Sequence, residues 1–263
     1  MHKSLALLNF ASVLFVIGVN YVSQALRLNN TTIGEVSNTY DNLFTPASYA
    51  FSIWGLIFLG LLAFAIFQIH KAYFTNHSTE FIGQIGYWFF LANILNSAWV
   101  IAFVYDFTGL SVLIMLGILF SLIKIILNTN MERWDAPKEI IAFVWWPICL
   151  YSGWIAVATI ANISAFLTKL GWTGAPLSEI GWTIILVAVA TALNLLIIKR
   201  RFMREFAAVG VWALVAIAVR HWNNYQVIAL SALIGALLIL SYILWQGFMY
   251  RKSNPFYKNP RQL

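Results

Sequence analysis

The sequence predicts an all-α fold, a polytopic membrane bundle of about eight transmembrane helices. Three observations carry this expectation. Of 263 residues, 61% are hydrophobic and only 10% charged, where a soluble domain carries about 25% charged residues. The apolar residues gather into eight runs, most of them 19–28 residues long, the length needed to cross a ~30 Å hydrocarbon core. The basic residues gather at the ends of those runs. With eight spans, thirteen of the sixteen Lys and Arg share one face, the opposite face holding only Arg27, Lys169 and Arg220. Positive charge is retained on the cytoplasmic side, so this bias places the N- and C-termini in the cytoplasm. Seven spans would put the basic C-terminal tail outside.

The runs follow in order. Leu5–Leu26 comes directly after Met1-His2-Lys3, but its 22 residues exceed the ~7–15 of a signal-peptide core, so it is read as a retained helix. The connection Arg27–Pro46 spans 20 residues and contains Glu35 and Asp41. Structureless loops of that length in compact proteins are usually functional, and a lid over the outer mouth is expected. Thr45-Pro46 then suits a helix start, with Pro in the first turn. Ala47–Gln68, Ile82–Val104 and Gly109–Leu127 are the next three spans, with Lys124 near a helix end from which it can snorkel. Ile140–Leu167 carries no charge over 28 residues. Ile180–Ile198, Phe206–Val219 and Val227–Met249 complete the set. Phe206–Val219 is only 14 residues, about 21 Å of helix, and Arg204 and Arg220 flank it. The connection 199–205 and the tail 251–263 are basic, as expected for anchors against anionic lipid. Residues 1–168 thus hold five of the expected spans, and 169–263 the remaining three with a basic tail.

Composition excludes several function classes. A single cysteine, Cys149, excludes a disulfide framework and a thiolate metal cluster. The net charge of +7 is a topology signal rather than a nucleic-acid patch, because the basic residues sit at helix ends. No Asp or Glu lies inside a span, which counts against a proton-coupled pump. None of the four histidines is placed mid-membrane, so paired imidazole ligands for a metal or haem inside the bundle are lacking.

What remains is amides and aromatics. Trp154, Ala158 and Asn162 are spaced by four residues, one helical stripe at about 100° per residue. Asn96, Trp99 and Phe103 share a face in the same way. An amide in hydrocarbon needs a partner, either another helix or a ligand. Trp134, Trp172, Trp182, Trp222 and Trp245 fit the interfacial belt of any membrane protein, whereas Trp54, Trp99, Trp154 and Trp212 lie within spans. Trp54, Asn96, Trp99, Ala158 and Asn162 fall in the outer halves of three helices, beneath the long loop, with Trp154 nearer the midplane. This convergence reads as a site wall; ordinary packing is the alternative for each residue alone.

At these residues the chain resembles the translocator protein family, also called tryptophan-rich sensory proteins or peripheral benzodiazepine receptors. Asn96-Ser97-Ala98-Trp99 with Phe103 is similar to that family's third-helix motif. The stripe Trp154, Ala158, Asn162 resembles its fifth-helix motif. Thr45-Pro46 followed by Phe51 and Trp54 resembles the start of its second helix. The resemblance covers residues 1–168 and implies an apolar pocket under the first loop, able to bind porphyrins and other flat hydrophobic ligands. Trp54, Asn96, Trp99, Trp154 and Ala158 would line it, with Phe51, Phe103 and Asn162 beside them. Trp54 follows Phe51 by three residues and Pro147 precedes Trp154 by seven, both departures from the family's spacing. Ala165–Lys169 contains no Tyr, so the family's sterol contact is not implied. The last three spans have no counterpart in the five-helix pattern.

The expectation is a multi-pass receptor or sensor of a bacterial inner (plasma) membrane, binding a porphyrin-like or other hydrophobic small molecule. No cofactor is expected; porphyrin or haem enters as a ligand. The expected partners are that ligand and membrane lipids, with a homodimer as a further expectation and no nucleic acid. The alternatives are a facilitator or transporter of the same ligands, a light-dependent porphyrin-degrading enzyme suggested by the resemblance, and a purely structural bundle. No nucleophile or acid–base constellation for ordinary hydrolysis or transfer is present.

Overall fold

A computed structural model describes residues 2–40, 42–75, 79–172 and 174–251. Asp41, His77 and the basic tail beyond Arg251 lie outside the described residues. Among the described residues there is helix and no strand. The order is α1 (His2–Ala25), α2 (Ile33–Thr39), α3 (Ile53–Phe74), α4 (Glu80–Ile85), α5 (Trp88–Val104), α6 (Thr108–Asn128), α7 (Lys138–Ile140), α8 (Trp146–Lys169), α9 (Glu179–Arg201), α10 (Arg204–His221) and α11 (Gln226–Met249).

Among the described residues, six helical segments are long and apolar enough to cross a membrane by length and composition: α1, Ser48–Phe74, α6, Lys138–Lys169, α9 and α11. Trp88–Val104 is apolar but shorter. The outward faces are oily, as a bilayer requires: Leu59 is 69% exposed and Leu113 67%.

Three boundaries depart from the expected ones, each with a local cause. The span expected over Ile82–Val104 breaks at Gly86, whose φ of +56° suits glycine, leaving α4 and α5 as separate pieces. Thr45-Pro46 does not open the next helix; a 3₁₀ turn over Ser48–Ser52 precedes α3 instead. Upstream of α8 the backbone widens into a π turn over Ile141–Trp145. Pro147 explains it: its ring would collide with the carbonyl four residues back and it has no N–H to donate.

The helices pack as two groups, joined chiefly by one helix-on-helix seam. In the first, α1 lies against α3 and α5, α5 against α6, and α6 against α8. In the second, α9, α10 and α11 pack on one another. The seam is α8 on α10, and Gly153 permits it. A Cβ on Gly153 would stand 2.7 Å from the Phe206 carbonyl oxygen, so backbone meets backbone there. Within the second group, Gly210 against Asn194 and Gly235 against Thr191 allow similarly close approach.

Polar side chains tie the first group internally. Asn9 donates to Gln68 (2.9 Å) and Asn93 to Ser12 (2.9 Å), linking α1 with α3 and α5. At the end away from the 27–46 loop, the buried Lys71 ammonium meets Glu139 at 2.6 Å. Near that end Glu132, Cys149 and Glu205 bring their ligating atoms within 4.8 Å of one another. Burial first, and then the nearby Glu205, raise the Glu132 carboxyl to about 8. From sequence Glu205 was expected at a helix end; it is there, in the first turn of α10, but faces α8 rather than open water.

Candidate functional site

The expected lid is a helix. Thr32 caps α2 by accepting from the Glu35 N–H (3.2 Å), and Glu35 returns to the Thr32 N–H (3.0 Å), a reciprocal capping box. Arg27 fixes the same carboxylate with two bonds of 2.9 Å. The far end of α2 is latched by Tyr40, whose hydroxyl donates to Asp106 in the turn between α5 and α6. Lys169, ending α8, meets the same carboxylate at 2.7 Å. Partial burial pulls the Asp106 carboxyl upward, but the Lys169 and Tyr40 bonds outweigh it and hold its pKa below the usual range. A depressed carboxyl contributes stability above its unfolded pKa and loses it as pH falls through the folded one, so the latch holds at neutral pH.

Beneath α2 lies an apolar cleft with about 530 Å³ of empty space, its open mouth included. Trp54 from α3, Trp99 and Phe103 from α5, and Trp154, Ala158 and Asn162 from α8 form its walls, with Phe51. Trp99 stacks on Phe103 (5.1 Å, 19°), and Phe51 meets Trp154 edge-on (5.9 Å, 83°). Trp54 lies at 6.0 Å from the Tyr151 ring and stacks on Phe58. As it stands, the space between these walls admits roughly three ordered waters, so a large ligand must lift the roof.

Seven of the eight residues expected from sequence line this cleft: Phe51, Trp54, Trp99, Phe103, Trp154, Ala158 and Asn162. Asn96 does not. It stands behind the wall, 1% exposed, donating to the Tyr151 hydroxyl (3.0 Å) and accepting from Asn20 (3.3 Å). Its amide therefore ties α1, α5 and α8 together. Asn162 lines the cleft, yet its amide is engaged too: Oδ1 accepts from the Trp99 indole (2.7 Å) and Nδ2 donates to Ser111 (2.9 Å). The polar atom left over is the Trp154 Nε1, buried and without an acceptor among the described residues. Trp212, also expected deep, lies off the cleft and donates to the Ala50 carbonyl (3.1 Å).

This arrangement has a consequence for Asn96→Ala. Ligand affinity should match wild type, because the amide does not reach the cleft. Stability should fall by about 1–3 kcal/mol, the range for buried hydrogen-bonding groups left without a partner. Melting and ligand titration on one detergent sample check this; a tenfold loss of affinity at unchanged melting temperature would return Asn96 to the site.

Sequence reasoning missed the roof residues Ile33, Ser37 and Pro46 and the wall residues Val157, Ala161 and Ala165. Signals for both existed. Thr32-x-x-Glu35 is the capping-box pattern that starts a helix, after which Ile33 and Ser37 fall on one face. Ala161 and Ala165 continue the stripe of Ala158 at helical spacing.

It also missed what α10 does. The second half of the loop is held by that helix through its backbone. Arg220 donates to the Thr45 carbonyl (2.9 Å), the His221 ring bonds the Leu43 carbonyl (2.8 Å), and the Ala47 N–H donates to the Ala216 carbonyl (3.1 Å). Trp212, which bonds the Ala50 carbonyl, Ala216 and Arg220 recur every four residues, so three of the four anchors share one stripe and His221 sits beside it. The additional helices therefore build part of the site's frame.

No curated protein and no solved structure matches the chain. A family model does, that of the TSPO-like proteins, over residues 6–245, a range that takes in α9, α10 and most of α11 as well as the cleft. By that match, which runs through the aromatic cleft and the helices that frame it, the chain belongs to the TSPO-like protein family.

Proposed function

We propose that the chain is a membrane receptor or sensor that holds a flat, hydrophobic, porphyrin-like molecule in the cleft beneath α2. Membership of the TSPO-like family supports a membrane ligand-binding protein. The observation that carries the finer reading is the cleft itself: tryptophans from three different helices face one apolar space. One of them, Trp154, keeps a buried indole N–H with no protein acceptor. Leaving such a donor unpaired costs about 1–3 kcal/mol, and a ligand carrying a carboxylate or carbonyl oxygen removes that cost. The indole faces supply stacking to a planar ring system. We read eight spans in a plasma membrane, with α2 outside and both termini in the cytoplasm, from the thirteen-to-three distribution of basic residues.

The test is a titration of purified protein with protoporphyrin IX, following tryptophan fluorescence and the porphyrin absorbance in darkness and in light. Saturable quenching with the porphyrin spectrum intact is the expected result. Absence of quenching sinks the reading, and loss of porphyrin only under illumination replaces the receptor with an enzyme.

A further inference from the structure

A second cleft, sharing no residue with the first, lies between the second half of the loop, the last turns of α8 and the first turns of α9, with about 470 Å³ of empty space, its open mouth included. Its hydrogen-bonding groups are nearly all turned to one polarity. The lining side chains of Asn42, Ser164, Thr168, Thr183 and Trp182 each donate to a backbone carbonyl, the Asn42 amide keeping one N–H in reserve. Asn42 Nδ2 donates to Tyr40 (3.1 Å), Ser164 to Ile160 (3.0 Å), Thr168 to Ser164 (3.0 Å), Thr183 to Glu179 (2.8 Å), and the Trp182 indole to Gly174. What the hydroxyls and the amide oxygen still offer is lone pairs. Asn42 makes the point most sharply: it is 8% exposed and its Oδ1 has no donor among the described residues. Glu179, exposed in the first turn of α9, adds an acidic residue at the edge of the same lining.

The rest of the lining is aromatic and aliphatic. Trp172 and Trp182 face each other at 5.4 Å and 51°, and Leu43, Phe44, Leu167 and Leu186 close the sides. A tryptophan pair at a membrane interface is ordinary. A buried, donor-starved amide oxygen with an acidic residue at the edge of the same cleft is not explained by that. The neighbouring cations are not among its lining residues: Lys169 is committed to Asp106, and Arg220 donates to the carbonyls of Thr45 (2.9 Å) and Asn42 (3.5 Å).

We propose that this second cleft binds an organic ammonium, a primary or secondary amine on an apolar aryl or alkyl body. The N–H groups supply the donor that Asn42 Oδ1 lacks. The positive charge is met by Glu179 and by the indole faces, which attract cations through their ring quadrupole. The body fills the aliphatic side of the cleft. This site stands apart from the porphyrin reading, and neither depends on the other.

Calorimetric titration of the full chain in detergent at neutral pH tests it, with phenethylammonium compared against 2-phenylethanol, 3-phenylpropanoate and the trimethylated phenethylammonium. The primary ammonium should bind at least tenfold more tightly than the alcohol and the trimethylated ion, and the carboxylate should not bind. Glu179→Gln should weaken the ammonium about tenfold and leave the alcohol unchanged, Glu179→Asp should restore most of the loss, and Asn42→Asp should tighten the ammonium. Melting temperature reports folding of each variant. No ammonium binding by the wild-type chain, or equal affinity for the ammonium and the alcohol, overturns the proposal. So does a Glu179→Gln variant, folded by its melting curve, that binds the ammonium as wild type does.

Discussion

Ala158→Leu should reduce affinity for a porphyrin probe more than a hundredfold while the protein melts within a few degrees of wild type. Ala158 lines the cleft between Trp154 and Asn162 on the same α8 stripe, and the space it faces admits only a few waters. A leucine side chain consumes that space. The two readings of this residue make opposite forecasts. If Ala158 were a tight helix contact, the added bulk would strain a packed seam at about 1–3 kcal/mol and leave the cleft alone. If it is a cleft wall, the bulk is absorbed by the cleft and the loss falls on the ligand. Paired melting and titration curves separate them, and wild-type affinity with a lowered melting temperature rejects the wall.

The second large effect is expected far from any ligand. Gly153→Val should cost about 3 kcal/mol, at or above the upper end of overpacking penalties. The atom its Cβ would strike is the Phe206 carbonyl oxygen at 2.7 Å, which belongs to a helix backbone and cannot rotate away. α10 must therefore move off α8, and α10 carries the anchors for Leu43, Thr45 and Ala47. Porphyrin affinity should fall together with the melting temperature, and proteolysis within residues 42–50 should accelerate. A variant that loses stability but keeps its affinity and its loop protection would show that the α8–α10 seam does not govern the cleft.

The sequence disclosed some of this and hid the rest for physical reasons. Long apolar runs marked the helices, because a segment in hydrocarbon must satisfy its backbone internally. Trp154, Ala158 and Asn162 were found because helical spacing alone fixes a shared stripe. Asn96 shared a face with Trp99 as expected, yet a face is about 100° wide and holds both cleft and helix-contact positions. Only the placement of Asn20 and Tyr151 on other helices decides which one Asn96 takes. The loop anchors of α10 were beyond reach for a different reason. Their partners are backbone carbonyls and an N–H some 170 or more positions away, and a backbone group carries no residue-type signal.

The roof over the cleft is fastened at both ends to different bodies. Tyr40 is tied to Asp106 beside Lys169, and residues 43–47 to α10. Ligand exchange must then wait for the fastening to release, and its timescale becomes that of a lid motion, microseconds to milliseconds or slower. Association should saturate with ligand concentration rather than rise toward the 10⁵–10⁷ M⁻¹s⁻¹ of an open site. A molecule held this way keeps its ligand by residence time, and a weakened latch would change how fast the protein reports a change in its surroundings before it changed how much ligand it holds.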